Sequence, residues 1–179
     1  MEVLYKKIVR YLDILNEQRA TSLGMITDVR YCPCEYKAAN ELPKDEYLVP
    51  FDTAKDTWGN GYDSHAWFKF NVTVPECRDN GEIFIKVLTD FPNGWDPDNP
   101  QFIAYVDGKM VQGLDINHTR LYLSSPGEHE IILYAYTGIK PMKARLFVEM
   151  FKLNREVEKL WYDIYTPFET LSYLDKNGR

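Results

Sequence analysis

The hydrophobic period changes twice along the chain, from helical to strand-like and back to helical. Near the beginning, Leu4, Ile8 and Leu12 recur at four-residue spacing among charged residues. This pattern predicts an amphipathic helix over residues 1–18. Residues 19–61 contain three prolines and little periodicity, so we expect an extended arm there, with at most short strands that lean on the sheet that follows.

Within residues 62–154 the period changes to two, most clearly in the segment from His65 to Val74. From Phe68 to Val74 every second residue is apolar, as in a strand buried on one face. Further segments rich in β-branched or aromatic residues and bounded by turn residues are 82–90, 101–106, 109–112, 120–124, 128–137 and 143–153. Strands without intervening helices predict a mainly β fold, an antiparallel β-sandwich or jelly roll, with Asp107-Gly108 in a tight hairpin turn.

The helical period returns over residues 155–179, where a wide apolar stripe is interrupted by Pro167. The stripe includes the aromatic residues Trp161, Tyr165 and Phe168. Leaving such rings in water costs about 25 cal/mol per Å² of apolar area, so this helix requires a partner. No partner is evident within the chain, and we interpret the three rings as an interface with another domain or subunit.

Composition narrows the classes of partner and compartment. The net charge is −6 and the basic residues are scattered, so there is no electrostatic footprint for nucleic acid or an anionic membrane. No apolar run is long enough to span a bilayer, and charged residues occupy the first positions, where a secretory leader would be apolar. We expect a cytoplasmic protein, with Cys32, Cys34 and Cys77 as free thiols rather than zinc ligands.

Several short motifs occur in order along the chain. They are Tyr31-Cys32-Pro33-Cys34-Glu35-Tyr36, Asp63-Ser64-His65-Ala66-Trp67-Phe68, Gly94-Trp95-Asp96, Asn99-Pro100-Gln101-Phe102, residues 107–115 with Asn117-His118, and residues 156–163. In residue type, order and spacing they resemble the amino-terminal region of microbial glycoside hydrolase family 38 α-mannosidases. The resemblance implies a β-sandwich of the galactose-binding type, followed by a helical segment that leads into a catalytic domain.

The same resemblance places the chemistry outside this chain. The family's catalytic domain opens with a His-x-Asp pair and uses zinc held by His and Asp ligands. Here none of His65, His118 and His129 has an aspartate two positions later. We therefore assign no catalytic residue, metal ligand or cofactor to this chain. The resemblance implies zinc only in the catalytic domain.

A polar loop over residues 93–100 carries Trp95, Asp96 and Asn99. An aromatic face with carboxylate and amide groups suits a sugar, which makes this loop a candidate carbohydrate site. Alternatively, the polar side chains cap their own turns while Trp95 packs on the edge of the sandwich. A third interpretation places the loop near the join with the catalytic domain.

Asp115, Asn117 and His118 follow the predicted hairpin and could approach that loop. Such a group could bind Ca²⁺ or hydrogen-bond a sugar, although we favour turn stabilisation. Trp67 is expected to pack on the second face of its strand. His65 and His129 show no partner pattern, and we assign them no function.

Two functional hypotheses from different classes follow. The first is a non-catalytic structural and assembly module of an α-mannosidase, whose partners are its own catalytic domain and the other subunits of a homo-oligomer. The second is a stand-alone carbohydrate-binding module with a weak sugar site around Trp95. We expect no hydrolysis by this chain alone, because a glycosidase needs two carboxyl groups in distinct environments and none is set apart here.

Overall fold

The computed structural model describes residues 2–35, 41–59, 61–77, 81–89 and 100–176. Within these residues the fold is mainly β, with two antiparallel sheets and a helix at each end, as the alternation predicts. The helices and strands are α1 Glu2–Gln18, β1 Ala20–Met25, β2 Val29–Cys34, β3 Val49–Phe51, β4 His65–Val74, β5 Glu82–Leu88, β6 Gln101–Val106, β7 Lys109–Leu114, β8 Arg120–Leu123, β9 Gly127–Tyr136, β10 Phe147–Leu153 and α2 Arg155–Lys176, with a short 3₁₀ helix at Asp45–Tyr47.

One sheet has four strands in the order β1-β10-β5-β8, and the other has six in the order β3-β2-β4-β9-β6-β7. Residues 19–61 supply β1 to the first sheet and β2 and β3 to the second. These strands lack an alternating pattern because β1 is almost entirely exposed, while prolines interrupt β2 and β3. The last strand begins at Phe147, later than predicted, because Ala144 instead forms an isolated bridge with Trp58.

The main core fills the space between the two sheets. Aromatic rings dominate it around Phe68, which contacts Trp58 edge-on at 5.4 Å between ring centroids and Phe51 at 5.2 Å. Trp58 is fully buried and is followed by Gly59 with φ +77°. A Cβ at Gly59 would lie 2.3 Å from Cγ2 of Thr137, so only glycine allows the chain to pass there.

A second apolar cluster covers the outer face of the six-stranded sheet. It contains Trp67, which is only 2% exposed, together with Tyr105 and Tyr134. The expected packing role of Trp67 is therefore confirmed. The segment around the 3₁₀ helix adds Leu48 to this cluster and is held down by a 2.7 Å contact between Lys69 Nζ and Asp45 Oδ1.

The two helices form an antiparallel pair at one end of the sandwich. Strands β1 and β10 pair from Ala20 opposite Leu153, so α1 ends where α2 begins. The indole of Trp161 donates a 3.1 Å hydrogen bond to the Leu12 carbonyl, and Phe168 contacts Tyr5 at 4.9 Å between ring centroids. Neither helix in the described part of the chain is long and apolar enough to cross a membrane.

This pairing corrects the inference that α2 has no partner within the chain. Trp161, Tyr165 and Phe168 are half-buried, and Trp161 stacks on Tyr165 at 4.3 Å. Their partner is the apolar face of α1. The sequence did not identify α1 as the partner, because an apolar stripe shows only that a helix packs against something. It does not show which element that is.

A buried carboxylate anchors α2 to the sandwich. Glu158 is 6% exposed and accepts hydrogen bonds from Arg120 at 2.7 Å, Arg155 at 3.1 Å and Arg19 at 3.2 Å. The Arg19 guanidinium also lies 4.3 Å from the centroid of the Trp161 ring, a cation–π distance. Burial alone would raise the pKa of Glu158, but the hydrogen bonds and charges of Arg120 and Arg19 outweigh it and lower that pKa.

We predict that Glu158→Gln lowers the free energy of unfolding by about 2–4 kcal/mol near neutral pH, because it leaves buried guanidinium groups poorly paired. Because the pKa of Glu158 is lowered in the folded state, its ionised form stabilises the fold at any pH above the unfolded-state pKa of glutamate. This stabilisation is lost as the pH falls through the folded-state pKa. The difference between variant and wild type should therefore shrink towards about pH 3. Urea unfolding at both pH values measures this.

The matched control is Glu156→Gln, because Glu156 is exposed in the same first turn of α2. It should change stability by less than about 0.5 kcal/mol. A Glu158→Gln variant as stable as this control at neutral pH would contradict an anchoring role.

Candidate carbohydrate-binding groove

A groove with a volume of about 660 Å³ lies on the outer face of the six-stranded sheet. Strand register assembles it. His65 of β4 lies opposite Tyr136 of β9, which lies opposite Gln101 of β6. In the next row Tyr134 lies opposite Ile103, and Ile103 opposite Gly113 of β7. Since Gly113 has no side chain, the outer end of this row stays open.

The imidazole of His65 is the centre of the polar wall. It stacks on Tyr136 at 4.8 Å and on Tyr134 at 5.6 Å between ring centroids. Its Nδ1 is 2.8 Å from the Tyr134 hydroxyl, and its Nε2 is 3.8 Å from Oδ1 of Asp63. The side chain is 10% exposed, so ring stacking and the Tyr134 hydrogen bond fix the imidazole at the edge of the groove.

Asp115 lines the same groove and also stabilises its own turn. Its Oδ1 accepts hydrogen bonds from the backbone N–H groups of Asn117 and His118, both at 2.8 Å. Burial alone would raise the pKa of Asp115, but these amides and the His118 side chain lower it. The carboxylate therefore stays ionised near neutral pH and suits hydrogen-bond acceptance rather than general acid catalysis.

The turn separates the residues that the sequence grouped together. Asp115 faces the groove, whereas Asn117 and His118 line a different pocket, over the four-stranded sheet. The turn-stabilising interpretation of Asp115 agrees with these hydrogen bonds. Trp95, Asp96 and Asn99 lie outside the described residues, and their part in a sugar site stays a prediction.

Sequence reasoning missed His65, Gln101, Tyr134 and Tyr136. Alternation alone places His65 on the outer face of β4, opposite Phe68, which was a usable signal. The side chains that it meets come from distant segments. Only the register of β4, β9 and β6 brings them into two adjacent rows, and that register cannot be read from one sequence.

The groove combines three kinds of group. Aromatic rings offer stacking surfaces, His65 and Gln101 offer donors and acceptors, and Asp63 and Asp115 offer carboxylate oxygens. Such a mixture fits a small polar ligand with several hydroxyl groups, because each hydroxyl can both donate and accept.

A second cluster has the residue types of a hydrolase triad. His129 Nδ1 is 2.7 Å from Oδ2 of Asp107, and its Nε2 is 3.3 Å from the Ser125 hydroxyl. However, the same Nε2 lies 2.9 Å from the Ser125 carbonyl, a better partner that can only accept. A base for serine needs a bare Nε2. The hydrogen bonds to Asp107 and Ser125 raise the pKa of His129. The cluster therefore has a structural role, since it connects the turn between β6 and β7 to the segment before β9.

Metal-binding geometry is also limited. The residues that the structure describes contain no group of three or more His, Cys, Asp or Glu side chains that could hold a metal ion. Cys32 is buried, and burial raises the pKa of its thiol.

Comparisons with known proteins give structural likeness only. No protein-family model matches the sequence, and no curated protein sequence is significantly similar to it. Similar solved structures include a calcium-binding mutant of beta-glucuronidase 2 from Bacteroides uniformis, with a TM-score of 0.41 and 14% identity over 72% of this chain and 18% of that chain. Another is the beta-glucuronidase from Ruminococcus gnavus in complex with a glucarolactone, with a TM-score of 0.44 and 12% identity over 75% of this chain and 29% of that chain.

The chain therefore spans less than a third of the length of these glycoside hydrolases. TM-scores below 0.5 are too low to carry an activity or a substrate from them to this chain.

Proposed function

We propose that this chain is the non-catalytic N-terminal β-sandwich domain of a cytoplasmic α-mannosidase of glycoside hydrolase family 38. In this proposal the chain serves domain packing and oligomer assembly, while the complete enzyme hydrolyses terminal α-mannosides with zinc in its catalytic domain. The motifs named above support the family. The surface of the helix pair supports the packing role and is the observation that carries it.

That surface is an apolar row on α2. Leu160 is 49% exposed, Leu171 is 66% exposed and Leu174 is 38% exposed, and their spacing places them on one side of the helix. Neighbouring α1 adds Leu4 at 63% exposed and Tyr11 at 59% exposed. Several large apolar residues exposed on one side of a helix are typical of a protein interface. We assign the row to contact with the catalytic domain, which the resemblance places after α2.

The first test concerns the parent enzyme. We expect the reading frame that contains these 179 codons to encode a downstream His-x-Asp pair, and its full product to cleave an aryl α-mannoside when zinc is supplied. The purified 179-residue chain should release no aryl group under the same conditions. A reading frame that lacks such a domain, or hydrolysis by the short chain itself, would contradict the proposal.

A second test concerns the apolar row. The double substitution Leu160→Ser and Leu171→Ser should reduce self-association of the purified chain in sedimentation velocity, because it removes exposed apolar area. The control pair Thr166→Ser and Thr170→Ser introduces the same residues at exposed positions of the same helix. A fall of the thermal midpoint by several degrees in the leucine variant alone would show instead that the row belongs to this domain's own core.

The groove favours a second candidate function, a stand-alone carbohydrate-binding module. His65, Tyr136, Gln101 and Asp115 line a space of about 660 Å³, which is within the range of small-molecule sites. We expect methyl α-mannoside to bind weakly there, by stacking and by hydrogen bonds to its hydroxyl groups.

Amide chemical shifts test the groove. Methyl α-mannoside at millimolar concentration should move resonances of residues 101–103 and 113–115, and Gly113→Leu should abolish the movement. A Cβ at Gly113 meets only the Phe102 carbonyl oxygen at 3.8 Å, an ordinary contact, so leucine fills the groove without backbone strain. Met110→Leu, at an exposed position of the same strand, is the control. Shifts that persist in Gly113→Leu would exclude this groove.

A further inference from the structure

A second pocket, with a volume of about 680 Å³, lies on the outer face of the four-stranded sheet, beneath the ends of the two helices. Its described lining includes the basic residues Arg19, Lys86 and Arg120 and no aspartate or glutamate. This is unexpected in a chain with a net charge of −6. The pocket therefore differs in charge from the groove, which is lined by Asp63 and Asp115.

Two of the cations are neighbours with free hydrogen-bonding capacity. Lys86 of β5 and Arg120 of β8 lie opposite each other in the antiparallel register. Arg120 uses its Nη1 on Glu158 and on the Tyr122 hydroxyl, and no described residue accepts from its Nη2 or Nε. The Lys86 ammonium likewise contacts no hydrogen-bond or ion-pair partner among the described residues.

Arg19 supplies an independent sign that acceptors are lacking. Its side chain is 9% exposed, with Nη1 3.1 Å from Asn16 Oδ1 and Nη2 3.2 Å from Glu158 Oε1. The third guanidinium nitrogen, Nε, is buried and has no hydrogen-bond partner among the described residues. Buried donors are rarely left unpaired in proteins. One buried donor of an arginine that lines the pocket thus lacks an acceptor in the described part of the chain.

The charges around the pocket are also unbalanced. Among the described residues, ion pairs join Arg19, Arg120 and Arg155 to two carboxylates, those of Glu158 and Glu82. Lys86 adds a fourth positive charge that has no ion-pair partner in this part of the chain. Another carboxylate, that of Glu149, lies opposite Lys86 on β10, where it accepts a 2.5 Å hydrogen bond from the Ser22 hydroxyl. Even when Glu149 is included, the cations outnumber the carboxylates.

We infer that this pocket binds the phosphate group of a small phosphorylated molecule, held between Lys86 and Arg120. A guanidinium and an ammonium side by side suit an oxyanion, because the arginine can donate through two nitrogens and the lysine acts as a point charge. A phosphate monoester carries between one and two negative charges near neutral pH, which matches the uncompensated cations. Asn117 also lines the pocket, and its side-chain amide can donate to a phosphate oxygen.

The apolar part of the pocket accounts for the rest of such a molecule. The rings of Phe84 and Phe151 stack in parallel at 5.4 Å between centroids and form part of its lining, and Tyr162 of α2 closes one side. Inorganic phosphate would use only the cations. Phe84 is only 2% exposed and lies beneath the Arg120 guanidinium, which is 4.8 Å from the centroid of its ring. A phosphorylated sugar would therefore contact Phe151 and Tyr162 in addition to the cations, and it should bind more tightly.

The experiment is a titration of the full 179-residue chain with sodium phosphate, at constant ionic strength balanced by sodium chloride, followed by amide chemical shifts. Saturable movement is expected for residues 84–86 and 117–122. Lys86→Gln should weaken phosphate binding about tenfold, the loss expected for one charge-assisted hydrogen bond. Because Lys86 has no described partner to lose, its thermal midpoint in chloride buffer should equal that of the wild type.

Lys109→Gln, an exposed lysine on β7 outside this pocket, is the charge-matched control and should bind phosphate like the wild type. The inference would be overturned if both variants bound phosphate equally weakly, or if sodium chloride alone produced the same amide shifts. Either result would indicate non-specific screening of surface charge. A hexose phosphate that binds more tightly than inorganic phosphate supports the role of the rings. Equal affinity for the hexose phosphate and inorganic phosphate would overturn the role of the rings. Displacement of bound phosphate by the unphosphorylated hexose would overturn the assignment of the pocket to phosphate.

Discussion

One buried carboxylate holds the helices to the sandwich. Glu158 contacts Arg19 at the end of α1, Arg120 on β8 and Arg155 at the start of α2, so a single acidic group connects three segments far apart in sequence. A carboxylate pays a desolvation cost when buried, and only several hydrogen bonds from cations offset it. The position of α2, the burial of Arg19 against Trp161 and the cationic wall of the pocket all depend on this arrangement.

The sequence predicted those elements of the fold that are buried on one face and exposed on the other. Strand β4 alternates clearly because one face lies in the core between the sheets, and both helices show their apolar stripes. Strand β1 could not be predicted, because five of its six residues are exposed and it therefore shows no alternating pattern. The packing partner of α2 could not be predicted either. It follows from the pairing of Ala20 with Leu153, a contact between distant segments.

The candidate sites were less predictable than the fold, for a geometric reason. Asp115, Asn117 and His118 are close in sequence, yet their turn directs them to two different pockets. Conversely, His65 and Tyr136 are far apart in sequence and meet in one row of the sheet. The proximity of Asp115, Asn117 and His118 along the chain correctly predicted a turn. The two ligand-sized pockets depend on strand register and sheet order, and neither can be read from a single sequence.

The antiparallel helix pair also determines how the domain would respond to a pulling force. Tyr5 and Phe168 hold the far ends of α1 and α2 together, and the near ends pass into β1 and β10, which are adjacent strands. Tension applied between residues 2 and 176 would therefore load these contacts one after another, as in a zipper, instead of shearing many at once. The helices would peel apart first and the edge strand β1 next, while the packed core between the sheets bears little load until both have separated.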